Sequence, residues 1–375
     1  MKKYALILLL IIFGTQILSA QSPKKVMGKI ITPDSVLDIM NKVAKWQLRD
    51  WREHGKRHPY FEWTMGACYA GYMDLAQVAT YSTYLGDMQA IGDSLHWKTG
   101  SRHTMADDYC VAQMYSELYL IYKKPEMIAQ WKLQADSIAA LPHDEPLEWK
   151  NNIANREWAW CDALFMGPPA FAYLSTATGD TKYLDAASKL WWKTTDYLFD
   201  KDENLYYRDS RFFTQKEANG KKVFWSRGNG WVMGGLVRML DNMPEDYPDR
   251  PKFVELYKKM AAKIASLQNA DGTWHAALLD PESYPVKEAS GTGFYCYALA
   301  YGINHKLISF DKYWPNVVKA WIALSGCVQP NGKLGYVQQI GEKPEKVTAD
   351  DTEVYGVGAF LLAGSEVYRM MQKHK

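Results

Sequence analysis

Gly228-Asn229-Gly230-Trp231-Val232-Met233-Gly234-Gly235-Leu236 is one of six stretches that open on small or acidic residues and run on as an apolar, aromatic-rich segment. The other five start near Met65, Asp107, Cys161, Ser290 and Asp351, so successive starts are roughly 40 to 70 residues apart. Between them lie stretches with one charged face, at 127–139, 182–197 and 251–268. In the second of these, Leu184, Ala187, Leu190 and Trp191 recur at helical spacing. Thr178-Gly179-Asp180 reads as a helix stop followed by a start. Repetition at such a period means a repeated supersecondary unit. A segment rich in Gly, Ala and Cys suits an inner helix, and one with a charged face suits an outer cover. Six such pairs predict an all-α protein, an (α/α)6 barrel whose inner helices turn their N-terminal ends to one mouth. A helical array for protein binding is the competing reading, but such arrays have tighter periods and fewer Trp in their connections.

Two long connections should fold over that mouth as short β-hairpin-like loops. Residues 200–224 carry Leu205-Tyr206-Tyr207-Arg208-Asp209 and the turn-like Ala218-Asn219-Gly220-Lys221. Residues 271–288 carry Asp271-Gly272-Thr273-Trp274-His275 and Pro281-Glu282-Ser283-Tyr284-Pro285. No Pro/Gly/Ser linker divides residues 21–375, which read as one domain. Residues 1–20 read as a signal peptide: Lys2 and Lys3, an apolar run, then Leu18-Ser19-Ala20. The run is short for a spanning helix, and the first cysteine is Cys68, so no membrane anchor is expected. The expected location is the periplasm or the medium. Residues 1–20 hold two lysines and no acid, so the rest carries 42 basic and 42 acidic side chains. That balance argues against nucleic acid as a partner. The five cysteines form no Cys-x-x-Cys pair, and Cys68, Cys110, Cys161 and Cys296 read as small buried residues. The eight histidines show no ligand spacing, so neither metal nor cofactor is expected.

The chain has 15 Trp, 25 Tyr and 12 Phe, and many Trp stand beside Arg, Asn, Asp or Gly rather than inside apolar runs. Flat rings among fixed polar groups suit a sugar cleft. Two motifs concentrate this mixture: Asn155-Arg156-Glu157-Trp158-Ala159-Trp160-Cys161-Asp162, and Trp225-Ser226-Arg227-Gly228-Asn229-Gly230-Trp231. Asp162 sits among Trp158, Trp160, Cys161 and Phe165; apolar surroundings would keep it protonated as a general acid, whereas an N-cap role would do the reverse. Asp107 and Asp108 open the preceding inner segment. Adjacent helical residues face different ways, so one points into the mouth and the other caps. Arg227 is placed to fork onto a sugar carboxylate or to stack on Trp225 and Trp231. Asn229 reads as a hydroxyl partner. His275 and Arg208 lie in the long connections as further binding candidates, and Trp63 and Tyr69 read as stacking or core residues.

On these motifs the chain resembles glycoside hydrolase family 105, the unsaturated rhamnogalacturonyl hydrolases, in particular the secreted members of Bacteroidetes. The resemblance runs from about Trp46 onward. It rests on Trp160-Cys161-Asp162 with Met166-Gly167-Pro168-Pro169, Ser226-Arg227-Gly228-Asn229-Gly230-Trp231, Asp271-Gly272-Thr273-Trp274-His275 and Glu288-Ala289-Ser290-Gly291-Thr292. It implies an (α/α)6 barrel and an exo-acting hydrolase that removes a terminal 4,5-unsaturated uronic acid from lyase-generated pectic oligosaccharides, by hydrating the C4–C5 enol ether. An upstream polysaccharide lyase would be its functional partner. The resemblance makes Asp162 the catalytic Asp and one of Asp107 and Asp108, with Asp108 preferred, the supporting one. It also puts Arg227, Trp225 and Trp231 in the sugar pocket. Arg208 is a departure, since some members carry His there. Rival expectations are another (α/α)6 glycosidase or lyase, and a non-catalytic glycan-binding protein.

Overall fold

The computed structural model describes residues 31–79, 83–150 and 157–373. The signal-peptide reading and the Asn155-Arg156 start of the first motif lie outside the described residues. Among the described residues six outer helices alternate with six inner segments, two of which are each split into two helices. The outer set is α1 (Pro33–His54), α3 (Tyr84–Ser94), α6 (Glu126–Ala139), α9 (Lys182–Leu198), α11 (Arg250–Ser266) and α13 (Phe310–Ser325). The inner set is α2 (Trp63–Val78), α4 and α5 (Ala106–Tyr109, Ala112–Tyr122), α7 and α8 (Ala163–Met166, Pro168–Thr178), α10 (Ser226–Asn242), α12 (Ala289–Asn304) and α14 (Val354–Lys373).

Local chemistry explains the two kinds. Helix α1 begins with a capping box, Thr32 Oγ1 accepting from Ser35 N and Ser35 Oγ from Thr32 N, followed by Pro33 at the first position. It buries Val36, Met40, Val43, Gln47 and Trp51 along one stripe. Helix α8 stops at Gly179, whose φ of 73° is the left-handed stop expected of Thr178-Gly179-Asp180. In α12, by contrast, every residue from Ala289 to Ile303 is buried, as in a helix surrounded by others.

The inner helices form a closed ring: α2 packs on α5, then α8, α10, α12, α14 and back to α2, and the outer helices cover the seams. Small residues let the ring close. A Cβ on Gly71 would lie 2.5 Å from the Gly358 carbonyl oxygen, and one on Gly235 would collide with the Leu164 carbonyl. The five cysteines are free and buried.

Two inner segments are less regular than expected. The second tightens at Cys110 and Val111 between α4 and α5. The third is broken at Gly167, because Pro168 and Pro169 donate no N–H and instead start α8. The sixth starts at Val354, after a long connection, rather than at Asp351. Over the mouth, β1 (Phe199–Asp200) pairs antiparallel with β2 (Leu205–Tyr206), and β3 (Trp274–His275) with β4 (Lys287–Glu288). A bridge between Lys216 and Lys222 flanks the turn at 218–221.

Candidate active site

A cavity of about 370 Å³ opens at the mouth, among the N-terminal ends of the inner helices. Asp107 and Asp162 both line it, with Trp63, Trp160 and Met166 supplying apolar wall. Arg208 enters from the loop after β2, and Ile340, Gly341 and Glu342 enter from the connection before α14.

Asp162 stands just before the single turn α7. Its side chain makes no capping hydrogen bond, so the N-cap alternative does not apply. The turn is pinned from two sides: Cys161 N donates to Arg208 O at 2.8 Å, and Trp158 packs where Gly167 leaves no room for a Cβ. Trp158 is held in turn by its Nε1–H to the Tyr109 hydroxyl at 2.9 Å. Burial raises the Asp162 pKa, while the positive charges of Arg208 and Arg227 oppose the rise. Asp107 is pushed up to about 7, first by burial and then by the Asp162 charge. Two carboxyls that hold protons unusually well therefore face one cavity.

Asp108 does not join them. It is fully buried and accepts from Arg102 N at 2.7 Å and Arg102 Nε at 3.0 Å, with Arg102 Nη2 at 2.5 Å from the same oxygen as Nε. Its backbone carbonyl accepts from Gly100 N. Of the two, it is Asp107 and not the preferred Asp108 that faces the cavity. Asp108 secures the loop before α4, and the turn of the helix sends Asp107 the other way.

Arg208 Nε lies 3.4 Å from Asp162 Oδ2 but has no hydrogen-bond partner, so a buried N–H is left beside the carboxyl. Its other end is fixed: Nη1 donates to Asp209 at 2.7 Å, and the guanidinium stacks over Trp149 with 4.6 Å to the ring centre.

Of the other candidates only Trp63 lines the cavity. Arg227 is fully buried and donates to the carbonyls of Gln338 at 2.6 Å and Gln339 at 2.8 Å, sandwiched between the rings of Trp225 and Tyr355. It braces the loop that reaches the cavity at Ile340 and does not itself line the cavity. Trp225 Nε1 donates to Gln338 Oε1 of the same loop. Asn229 exchanges hydrogen bonds with Tyr206 N and O, which holds β2 in place, and it does not line the cavity. Trp231 is buried against Phe165, Phe294 and Tyr355, and Trp63 packs edge-on against it at 5.9 Å. Tyr69 is a core residue beside Trp51. His275 sits outside the cavity, bonded to Pro281 O and Asp271. Arg227, Trp225 and Asn229 direct most of their hydrogen bonds to backbone and side chains brought from distant segments, whereas Arg227 Nε and the Tyr69 hydroxyl are buried without a hydrogen-bond partner. The loop carrying Ile340 and Glu342 was missed, although a signal existed: 326–353 is also a long connection directly before an inner segment.

Comparison with known proteins agrees with this architecture. The family model described as Glycosyl Hydrolase Family 88 matches residues 38–371. An unsaturated 3S-rhamnoglycuronyl hydrolase of Formosa agariphila is 38% identical over 369 residues, covering 94% of this chain and 95% of that protein. A protein of the same name from an Alteromonas species is 37% identical over 279 residues, covering 70% of this chain and 66% of the other. A solved family 88 glycosyl hydrolase from Bacteroides vulgatus superposes with a TM-score of 0.82 at 29% identity, over 91% of this chain and 100% of that one.

Proposed function

The chain belongs to Glycosyl Hydrolase Family 88, and we propose that Asp162 and Asp107 are the groups with which it removes a terminal 4,5-unsaturated uronic acid from rhamnose-containing oligosaccharides. It is a glycoside hydrolase, and the two relatives most similar in sequence described above are named for unsaturated rhamnoglycuronyl substrates. Such ends arise when a polysaccharide lyase cleaves a uronate-containing chain, so a lyase must act first. The observation that carries the assignment is the pair of proton-holding carboxyls, Asp162 buried and Asp107 partly so, facing one Trp-walled cavity beside the Arg208 guanidinium 3.4 Å from Asp162.

The chemistry follows from the substrate. The C4–C5 double bond is an enol ether, because the ring oxygen is on C5. Asp162 gives its proton to C4, and the positive charge is shared by C5 and the ring oxygen. Water adds at C5 and returns a proton to the Asp162 carboxylate. The product is a hemiketal; it opens, and the aglycone leaves from C1. Arg208, at 3.4 Å, stabilises Asp162 while it is ionised. Asp107 orients the water or a ring hydroxyl.

Loss of the substrate's ultraviolet enol-ether band tests this. Wild type should abolish it on unsaturated rhamnoglycuronyl disaccharides, and Asp162→Asn should not. Decay with the variant at the wild-type rate would remove Asp162 from the role. A pectic, rhamnogalacturonan-type disaccharide in the same panel tests the finer expectation of the parent polymer. Export is part of the proposal: N-terminal sequencing of the mature protein should begin at Gln21, and an intact Met1 would refute it.

A further inference from the structure

The ring of inner helices closes where α14 returns to α2, and one imidazole spans that seam. His58 stands in the loop between α1 and α2. Its Nε2 is hydrogen-bonded to Glu353 Oε2 at 3.0 Å, and its Nδ1 lies 3.1 Å from Glu62 Oε2. All three side chains are largely shielded: His58 is 16% exposed, Glu62 27% and Glu353 8%. Glu62 also accepts from the Thr64 hydroxyl at 3.1 Å. Each carboxylate belongs to the residue that directly precedes an inner helix. The Glu62 carbonyl accepts from Gly66 N at 2.9 Å and the Glu353 carbonyl from Gly356 N at 3.0 Å, so each is joined to the first turn of its helix. The residue after Glu62 is Trp63, which lines the cavity. Just inside α14 is Tyr355, whose ring stacks on that of Trp63 with centres 5.3 Å apart.

We infer that His58 is a positioning residue for the reaction: as an imidazolium it clasps Glu62 to Glu353 across the seam, and so fixes Trp63 in the cavity wall. The inference rests on the proposed function for its substrate. A neutral imidazole has one N–H and one lone pair. It can donate to one carboxylate only, and its lone pair then faces the oxygen of the other. Carboxylates 3.0 and 3.1 Å from the two ring nitrogens are therefore matched only by the doubly protonated ring. Loss of one proton opens one side, and the first turn of α2 is no longer tied to that of α14. Histidine is the side chain that exchanges its proton between about pH 5 and 8, so the clasp depends on pH. The other charged groups around it are Arg57 and Asp50, which border the same small cavity as Glu353, and Arg102, which feels the Glu62 charge. Lys56 of the same loop turns to the rings of Tyr60 and Trp51 instead.

The test is KM for an unsaturated rhamnoglycuronyl disaccharide from about pH 5.5 to about pH 8.5, in wild type and in His58→Gln. A glutamine amide donates to one carboxylate and cannot satisfy the other, so it imitates the neutral imidazole. KM of the variant should exceed that of wild type roughly three- to tenfold at the acid end, and the ratio should fall to about 1 at the alkaline end, with kcat equal to that of wild type at each pH. Taking the ratio cancels the proton on Asp107, which is held up to about 7. Glu353→Gln is the second variant. Its amide pairs with a neutral ring as well as with a charged one, so its KM relative to wild type should fall below unity as pH rises. A His58→Gln ratio that stays constant with pH, or a loss confined to kcat, would make His58 a packing residue and overturn the inference. So would a Glu353→Gln ratio that does not move with pH, and this decides the matter should His58→Gln fail to fold. If wild type turns over no unsaturated disaccharide, the proposed function fails and the role of His58 with it; if it turns them over and both ratios are flat, only the clasp fails.

Discussion

Asp107 and Asp108 are chemically identical neighbours with opposite fates. Asp108 is held by Arg102 and the loop before α4; Asp107 faces the cavity and Asp162. Asp162→Asn should therefore lower kcat by about 10²–10⁴-fold with little change in KM, whereas Asp108→Asn should act on the melting temperature first. Activity assays beside thermal melts separate the two. A stability consequence follows from the raised Asp107 pKa. The folded state holds this proton more tightly than the unfolded chain does, so the group contributes most at low pH. That contribution is lost as pH rises from the ordinary carboxylate range through about 7. Asp107→Asn has no proton to lose. Its melting temperature, relative to wild type, should climb as pH rises from the ordinary carboxylate range to about 7 and level off above it. A constant difference across that range would contradict this.

The elements that shape the site are the connections before the inner helices. Glu288, at the end of β4, accepts from Ser290 N and Gly291 N at the start of α12 and from Gln338 N of the next connection. Gln338 is held again by Trp225, Arg227 and the Tyr355 hydroxyl. Arg227→Met should free this connection, removing two charge-assisted bonds worth about 1.5–3 kcal/mol each. The melting temperature should fall, and KM should rise because Ile340 and Glu342 lose their placement. A stable variant with unaltered KM would reject this bracing role. This is the opposite reading of the same residue from the one its motif invites, because the sequence shows a guanidinium between two Trp but not the two carbonyls that face it.

At the scale of the molecule, the end of the barrel away from the mouth is closed by charge. Arg238 of α10 donates to Gln113 at 2.6 Å and Glu117 at 2.9 Å, both on α5, and is fully buried. Arg369 of α14 donates to Glu366 at 2.7 Å and reaches Asp74 of α2 at 3.3 Å. These bonds tie inner helices that are far apart in sequence. Arg238→Ala would leave Glu117 buried without its partner, at about 3–5 kcal/mol. If residues 21–375 form one cooperative unit, as we propose, calorimetry should show a single transition moving down as a whole. Loss of only part of the enthalpy would argue for separable units.

What the sequence determined by itself is the repeating part of the design. Small-residue inner helices, amphipathic outer ones and the Gly179 stop depend on spacing and on short-range sterics, which are written locally. The same holds for the motif that carries Asp162 and for the mouth on which it opens. Only the tertiary structure decided which polar groups were left free. Arg227, Asn229 and Trp225 spend their hydrogen bonds on backbone and side chains brought near from distant segments, and buried polar groups must be paired. Asp107, Asp162, Arg208 and Glu342 come to line one cavity because the fold brings distant segments of the chain to the same mouth.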